Sequence, residues 1–297
     1  MSLIVYGTLI GLVYGLWAVS FSIIYRSVRI FHVLHAAVFT ASAYACWLVA
    51  TSSGQLLLGI VAGLAAAIVL GAASELILYR PLIRLHVRPG ILFLASLAGY
   101  IVIENVLQLL WRADTRTIEL PLFFDTRLRL GRAGVSVLEV TEALVALCFW
   151  LLTLALLRFS LWGKAIRAIS IAPEMAELAG INVGKIRLAA FMYGSFLIGA
   201  AGILFLAKLG IEPTSGMPVW IIAVVASLIS RAHPLWSYVT GLGIGLCEAV
   251  ILLWLPGTWQ PIVPVAILLG YLAVLAANRV VVATLARNRA QRALGDA

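Results

Sequence analysis

The sequence predicts an all-α, polytopic transmembrane helical bundle of eight to ten spans, and three observations predict it. Of 297 residues, 63% are hydrophobic and only 11% charged, with a mean hydropathy of +1.09. Soluble domains run about 45–50% apolar and 25% charged. The apolar residues also fall in runs near the ~20 residues needed to cross a hydrocarbon core. Lastly, the charges collect in the short segments between those runs, as in membrane proteins. No stretch is long and polar enough for a separate soluble domain, so residues 1–297 read as a single transmembrane domain.

The first run, 3–25, has no basic residue ahead of it. It lacks the n-region of a cleavable signal peptide and reads as a retained span. Further runs follow at 33–50, 55–78, 91–111, 138–158, 188–207, 235–255 and 262–280. Pro218–Ser230 is apolar but short, and fits a tilted span, a broken helix or a re-entrant piece. Counted as a span, it gives nine crossings with the N-terminus outside and the C-terminus inside. Fifteen of the 21 lysines and arginines then lie inside, including Arg80, Arg84 and Arg88, those of the 158–187 loop, and Arg279, Arg287, Arg289 and Arg292 at the end. That bias is the orientation signal, and it accounts for a pI near 9.9 without nucleic acid as a partner. The outer loop 112–137 holds five arginines interleaved with Asp114, Glu119 and Asp125, and Pro121, Gly131 and Gly134 suggest a folded surface loop.

Residues 162–187 interrupt the apolar pattern with Lys164, Arg167, Glu174, Glu177, Lys185 and Arg187. Pro173 suits the first turn of a helix and Gly180 the position just past its end, predicting a short helix over 172–180. Met175, Leu178 and Ala179 offer an apolar face and Glu174 and Glu177 a polar rim, which suits docking into a partner's groove. The segment therefore reads as a cytoplasmic coupling loop.

Few residues in the runs could carry chemistry. Glu104, Asn105 and Gln108 fall on one span, with Glu104 and Gln108 sharing a face at i, i+4. They are pathway candidates or partners for a neighbouring helix. His32 and His35, at the mouth of the second span, either start that helix or line a pathway; a metal site would need a third ligand, and the sequence has no such cluster. Glu75 and Glu248 read as structural carboxylates that must be neutral, paired or facing a cavity, with Arg80 a partner within reach of Glu75. Glycines at 7, 11 and 15, and again at 241, 243 and 245, suit close helix packing or a subunit seam. Cys46, Cys148 and Cys247 lie in apolar stretches without paired spacing and read as small buried hydrophobes. No nucleophile motif or P-loop is present, so no catalytic residue and no bound cofactor is expected.

Several motifs resemble one known family. Gly163-Lys164-Ala165-Ile166-Arg167-Ala168, then Glu177-Leu178-Ala179-Gly180-Ile181-Asn182-Val183, then Phe191 and Ala200-Ala201-Gly202 follow the cytoplasmic pattern of permease subunits of branched-chain amino acid type ABC importers. Tyr79-Arg80-Pro81-Leu82, Gly11–Trp17, Glu212-Pro213…Gly216 and Gly245-Leu246-Cys247-Glu248 continue the likeness, which is closer to the H-type membrane subunit of the usual permease pair. The chain departs from the family at 29–36, where Asn and Gly of the usual pattern are missing, and at 225–231. It is therefore similar to a divergent member. The resemblance implies an inner-membrane, multi-pass permease for branched-chain amino acids or a related small polar solute (an amino acid, amide, urea or carboxylate). It implies a second permease subunit, a periplasmic solute-binding protein and two cytoplasmic ATPase subunits that hydrolyse the ATP, with 172–180 as the coupling helix. Rival readings are a secondary transporter using an intramembrane carboxylate such as Glu104, which needs no capped cytoplasmic helix, and a membrane-embedded enzyme.

Overall fold

The computed structural model describes residues 2–130, 133–254, 256, 259, 262–274 and 277. Among the described residues seven helices are long and apolar enough to cross a membrane: α1 (Ser2–Val28), α2 (Leu34–Ser53), α3 (Leu56–Arg84), α4 (Pro89–Trp111), α5 (Val137–Phe159), α8 (Val183–Leu209) and α10 (Pro234–Ile251). Between α5 and α8 lie α6 (Leu161–Ile171) and α7 (Pro173–Leu178). Two shorter apolar helices are α9 (Gly216–Ile229) and α11 (Ile262–Val274). The polytopic helical bundle expected from the sequence is the fold. The end of the last run, expected to reach 280, and the basic residues from Arg279 onward lie outside the described residues, as do Gly131 and Arg132.

The centre of the bundle is α1, which packs on α8, α9, α10 and α5. Its contact with α10 is a seam of glycines. A Cβ on Gly245 would stand 2.5 Å from the Cα of Gly11, and one on Gly241 would stand 2.6 Å from the backbone N of Gly15. In lipid, packing drives helix association, and small residues let the backbones approach. Residues 241 and 245 thus bind this bundle together rather than a second copy. Gly243, two residues from each and on the opposite side of the helix, meets nothing within 4 Å.

Local chemistry sets where the ends fall. Ser136 accepts from the backbone of Glu139, and the Glu139 side chain accepts from Ser136 N in return, a capping box that opens α5. Just before it, Arg127–Leu130 and Ala133–Ser136 form a two-stranded antiparallel ribbon, β1 and β2, so the outer loop does fold on itself. Arg116 pairs with Ile211, and Thr115 donates to Glu212 at 2.5 Å. These bonds gather the ends of α4 and α8 at the hairpin end. At the opposite, arginine-rich end, Arg26, Arg29, Ser170 and Arg231 share one cavity.

Two helices begin inside the bundle. His35, in the first turn of α2, lies 3.0 Å from Ser20, eight residues before the end of α1, which is about 12 Å along the helix. Residues 29–33 therefore turn back into the protein, and His32 and Val33 are buried. Likewise Gly216, the first residue of α9, packs on Ala36 and Thr40 in α2. With 14 residues, α9 is about 21 Å long, too short for a core of ~30 Å. The chain from Ile211 at the hairpin end to Arg231 at the other covers the remainder with the non-helical stretch before Gly216. The 218–230 stretch, short for a span, is thus a single uninterrupted helix as far as Ile229, preceded by non-helical chain.

Two sequence expectations are corrected. Only Cys46 is buried; Cys148 and Cys247 are exposed on the outside of their helices, where apolar side chains would meet lipid. Glu75 forms no ion pair with Arg80. Its carboxylate turns inward while Arg80 lies over Gly184, where a Cβ would come within 2.6 Å of Nη2.

Candidate functional site

The short helix α7 starts at Pro173, whose missing N–H costs nothing in a first turn. It ends in a Schellman motif: Gly180 N donates to Glu177 O and Ile181 N donates to Ala176 O, both at 2.9 Å. Gly180 has φ +84°, a region glycine occupies without strain. One side of α7 is anchored, with Ala176 buried against Ile169 and Val183. The other is free. Met175 and Leu178 are 68% and 83% exposed, and Glu174, Glu177 and Ala179 lie beside them in solvent. An exposed leucine and methionine beside two carboxylates form an apolar stud with a polar rim.

The sequence did not anticipate α6, the platform under α7. Ser160 caps it by accepting from Gly163 N at 3.0 Å. Ile166 and Ile169 face inward, and Arg167 donates to the Leu157 carbonyl. Arg29, at the end of α1, donates to the Ser170 carbonyl at 2.7 Å. Through these bonds α7 is tied to the central helix.

The other candidates separate into two groups. His32 and His35 lie in the core, fully buried, with ring centroids 5.5 Å apart. His32 Nδ1 is 2.8 Å from the Tyr79 hydroxyl, and the His32 carbonyl accepts from Trp220 Nε1 at 2.8 Å. Leu34 N donates to Ser96. Irregular backbone inside a membrane must have its polar groups satisfied by protein, and these side chains do that for the turn before α2. Tyr79 reaches the turn because residues 74–79 form a π-helical stretch just ahead of Pro81, which cannot donate to the carbonyl four residues back. Glu75 is buried on the same stretch, with Arg187 and Arg80 the nearest charges. Glu248 is buried too and accepts from Tyr14 at 2.9 Å across the α1–α10 seam.

The second group is on α4. Gln108 Nε2 lies 3.4 Å from Glu104 Oε1, while Asn105 is exposed and donates to the Ile101 carbonyl. Asn105 points away from the bundle, whereas Glu104 and Gln108 are half-buried at its flank, with Glu104 beside the buried Tyr100. Among its helices, α4 packs mainly on α2, leaving Ile101, Val102, Val106, Leu109 and Leu110 exposed as well. The structure therefore does not bring the α4 residues and the two histidines together within one subunit.

A family model described as "Branched-chain amino acid transport system / permease component" matches residues 3–272. The chain belongs to that family. This permease is 25% identical over 287 residues to the high-affinity branched-chain amino acid transport system permease protein LivH of Escherichia coli (strain K12), covering 91% of each chain. It is 24% identical over 287 residues to the LivH of Salmonella typhimurium. A shorter match, 27% over 108 residues, covers 36% of the permease and 29% of the fructose import permease protein FrcC of Rhizobium meliloti. Among solved structures it is similar to PsaBC from Streptococcus pneumoniae in complex with Fab, with a TM-score of 0.50 and 12% identity over 91% of each chain. At that identity the likeness concerns the fold alone.

Proposed function

We propose that this permease is the membrane-spanning subunit of an ATP-driven importer for branched-chain amino acids or a related small polar solute, in the inner membrane. The observation that carries the reading is α7. It is a six-residue helix, too short to be stable alone, held by a glycine cap and tied to α1, yet it leaves Met175 and Leu178 in solvent. Such a feature serves a partner's groove, and the partners proposed are two cytoplasmic ATPase subunits. A periplasmic solute-binding protein would meet the hairpin end.

The polar face of α4 supports a second permease subunit. Glu104, Asn105 and Gln108 are polar where lipid would disfavour them, and a pathway between two subunits would give them water. The histidines then hold the turn before α2 rather than line the route. Co-purification tests the core of the proposal: Leu178→Asp places a charge on the docking face, and the ATPase subunits should be lost while the permease pair remains. If Leu178→Asp keeps the ATPases and transports normally, the coupling role is wrong and the secondary-transporter reading replaces it.

A further inference from the structure

A cavity of about 350 Å³ opens at the arginine-rich end between α1, α5, α6 and α10. Its walls are hydrocarbon, from Ile23, Leu154, Leu157, Ile166 and Leu235, and its rim carries Arg26, Arg158 and Arg167. Arg26 is half-buried and feels the charge of Arg167; it makes no hydrogen bond or ion pair to the described residues. Among the described residues no carboxylate pairs with these arginines. Every ion pair among the described residues lies at the hairpin end. A neighbouring opening shares Arg26 and His233 and adds Arg29 and Arg231. Trp236, which lines that neighbouring opening, is exposed, as are Leu151, Leu152 and Phe159 on α5. Apolar residues beside a tryptophan mark a helix boundary at the level of lipid headgroups.

We infer that this cavity is a binding site for an anionic phospholipid, with its phosphate on Arg26, Arg158 and Arg167 and an acyl chain along Ile23, Leu154 and Leu157. The chemistry selects the occupant. Guanidinium groups recognise phosphate oxygens through paired N–H donors, and basic pockets between transmembrane helices hold acidic lipid headgroups. A soluble anion would use the arginines and leave the hydrocarbon wall without a partner. A zwitterionic lipid would fill the wall and add a cation to a cluster that lacks a counter-charge. Because Ile166 and Arg167 belong to α6, a bound lipid would brace the platform under α7. The inference needs only the membrane-spanning fold and holds whether or not α7 docks an ATPase.

Native mass spectrometry of the full-length permease in a neutral detergent tests it. The probes are phosphatidylglycerol, phosphatidylcholine with the same acyl chains, and glycerol phosphate. Phosphatidylglycerol should bind at least tenfold more tightly than phosphatidylcholine, and glycerol phosphate should not compete. Arg26→Gln, Arg158→Gln and Arg167→Gln should each weaken phosphatidylglycerol about fivefold, the factor for one basic residue at an anionic surface. Leu154→Trp should weaken it by filling the cavity without changing any charge. Arg84→Gln and Arg88→Gln, at the same end but away from the cavity, should have no effect. Equal binding of phosphatidylcholine would overturn the inference by showing an unselective groove. Competition by glycerol phosphate would reduce the cavity to a simple anion site. An equal loss in the Arg84 and Arg88 variants would show a diffuse charge effect.

Discussion

Replacing Gly180 isolates what α7 requires of its backbone. With φ at +84° and no atom within 4 Å of the place a Cβ would take, a side chain here meets no clash. The whole effect is conformational. An ordinary L-residue in the left-handed region loses about 1–2 kcal/mol, and a β-branched residue stands at the upper end. That is a factor of roughly 5–30 in an equilibrium. Because the two 2.9 Å capping bonds from Gly180 and Ile181 depend on that φ, the alternative to strain is their loss and the unwinding of α7. Asparagine tolerates the same region, so the series Gly180→Asn, →Ala, →Val should weaken ATPase association in that order, with Asn near the parent and Val lowest. The assay is a titration of purified ATPase subunits against each variant reconstituted with its permease partner. Thermal unfolding of the permease alone should be nearly unchanged across the series, since Gly180 touches no core residue. If the Val variant binds as the parent does, or if Asn and Val lose binding equally, the cap does not set the docking geometry.

Further outcomes follow from other contacts. Gly245→Val drives a side chain into Gly11 and should lower stability by about 1–3 kcal/mol or more, whereas Gly243→Val on the open side should be neutral; thermal denaturation in detergent compares them. Lys208 lies 3.4 Å from Glu139 and 3.5 Å from the buried Glu142, so Lys208→Met should cost about 3–5 kcal/mol by leaving that carboxylate unpaired, and Glu142→Leu in the same chain should restore most of the loss. Glu104→Ala and Gln108→Ala should reduce solute uptake without reducing assembly; normal uptake in both would make the α4 face a packing contact. At the arginine-rich end, burial and then the charge of Arg26 hold the His233 imidazole below its ordinary 6.5. The unfolded chain then binds the proton more readily, so stability is full above about pH 6.5 and falls as pH drops through the lower folded value. His233→Gln should flatten that slope in melts between pH 5 and 8.

What was legible in the sequence follows from which forces act locally. Spans come from hydropathy summed over about 20 residues, so all seven long helices were visible, though the third runs on to Arg84 rather than 78 and the sixth begins at Val183 rather than 188. The cap at Gly180 was visible because glycine after a short helical run has one common use. The amphipathic helix α6 carries a local signal too: Ser160 ahead of Trp162, Ile166 and Ile169 at helical spacing. Its charges, read as a water-exposed loop, masked it. The buried turn at 29–33 was not legible. Arg29 and His32 resemble a span boundary by composition, and only the donors on Trp220, Ser96 and Tyr79, distant in sequence, make burial of that backbone possible. The same holds for Glu248, whose hydrogen bond to Tyr14 depends on α1 and α10 meeting at their glycines.

Those non-local bonds also bear on how motion at α7 could reach the interior. From α7 the rigid path runs through the Ala176–Ile169 contact into α6, then from the Ser170 carbonyl to Arg29, and so into the turn that precedes α2. The turn is held by the Tyr79 and Trp220 bonds to His32, and these residues belong to α3 and α9. On the proposed coupling role, a displacement of α7 would be delivered to the place where two helices begin inside the bundle, the least regular part of its backbone, rather than to the glycine seam of α1 and α10. Backbone with discrete hydrogen-bonded alternatives can switch, while a seam with 2.5 Å Cβ clearances cannot slide. If α7 transmits force, Arg29→Gln should uncouple ATP hydrolysis from uptake while leaving ATPase binding intact, since it cuts the path without touching the docking face. Loss of binding in that variant would mean that Arg29 only supports the local fold of α6.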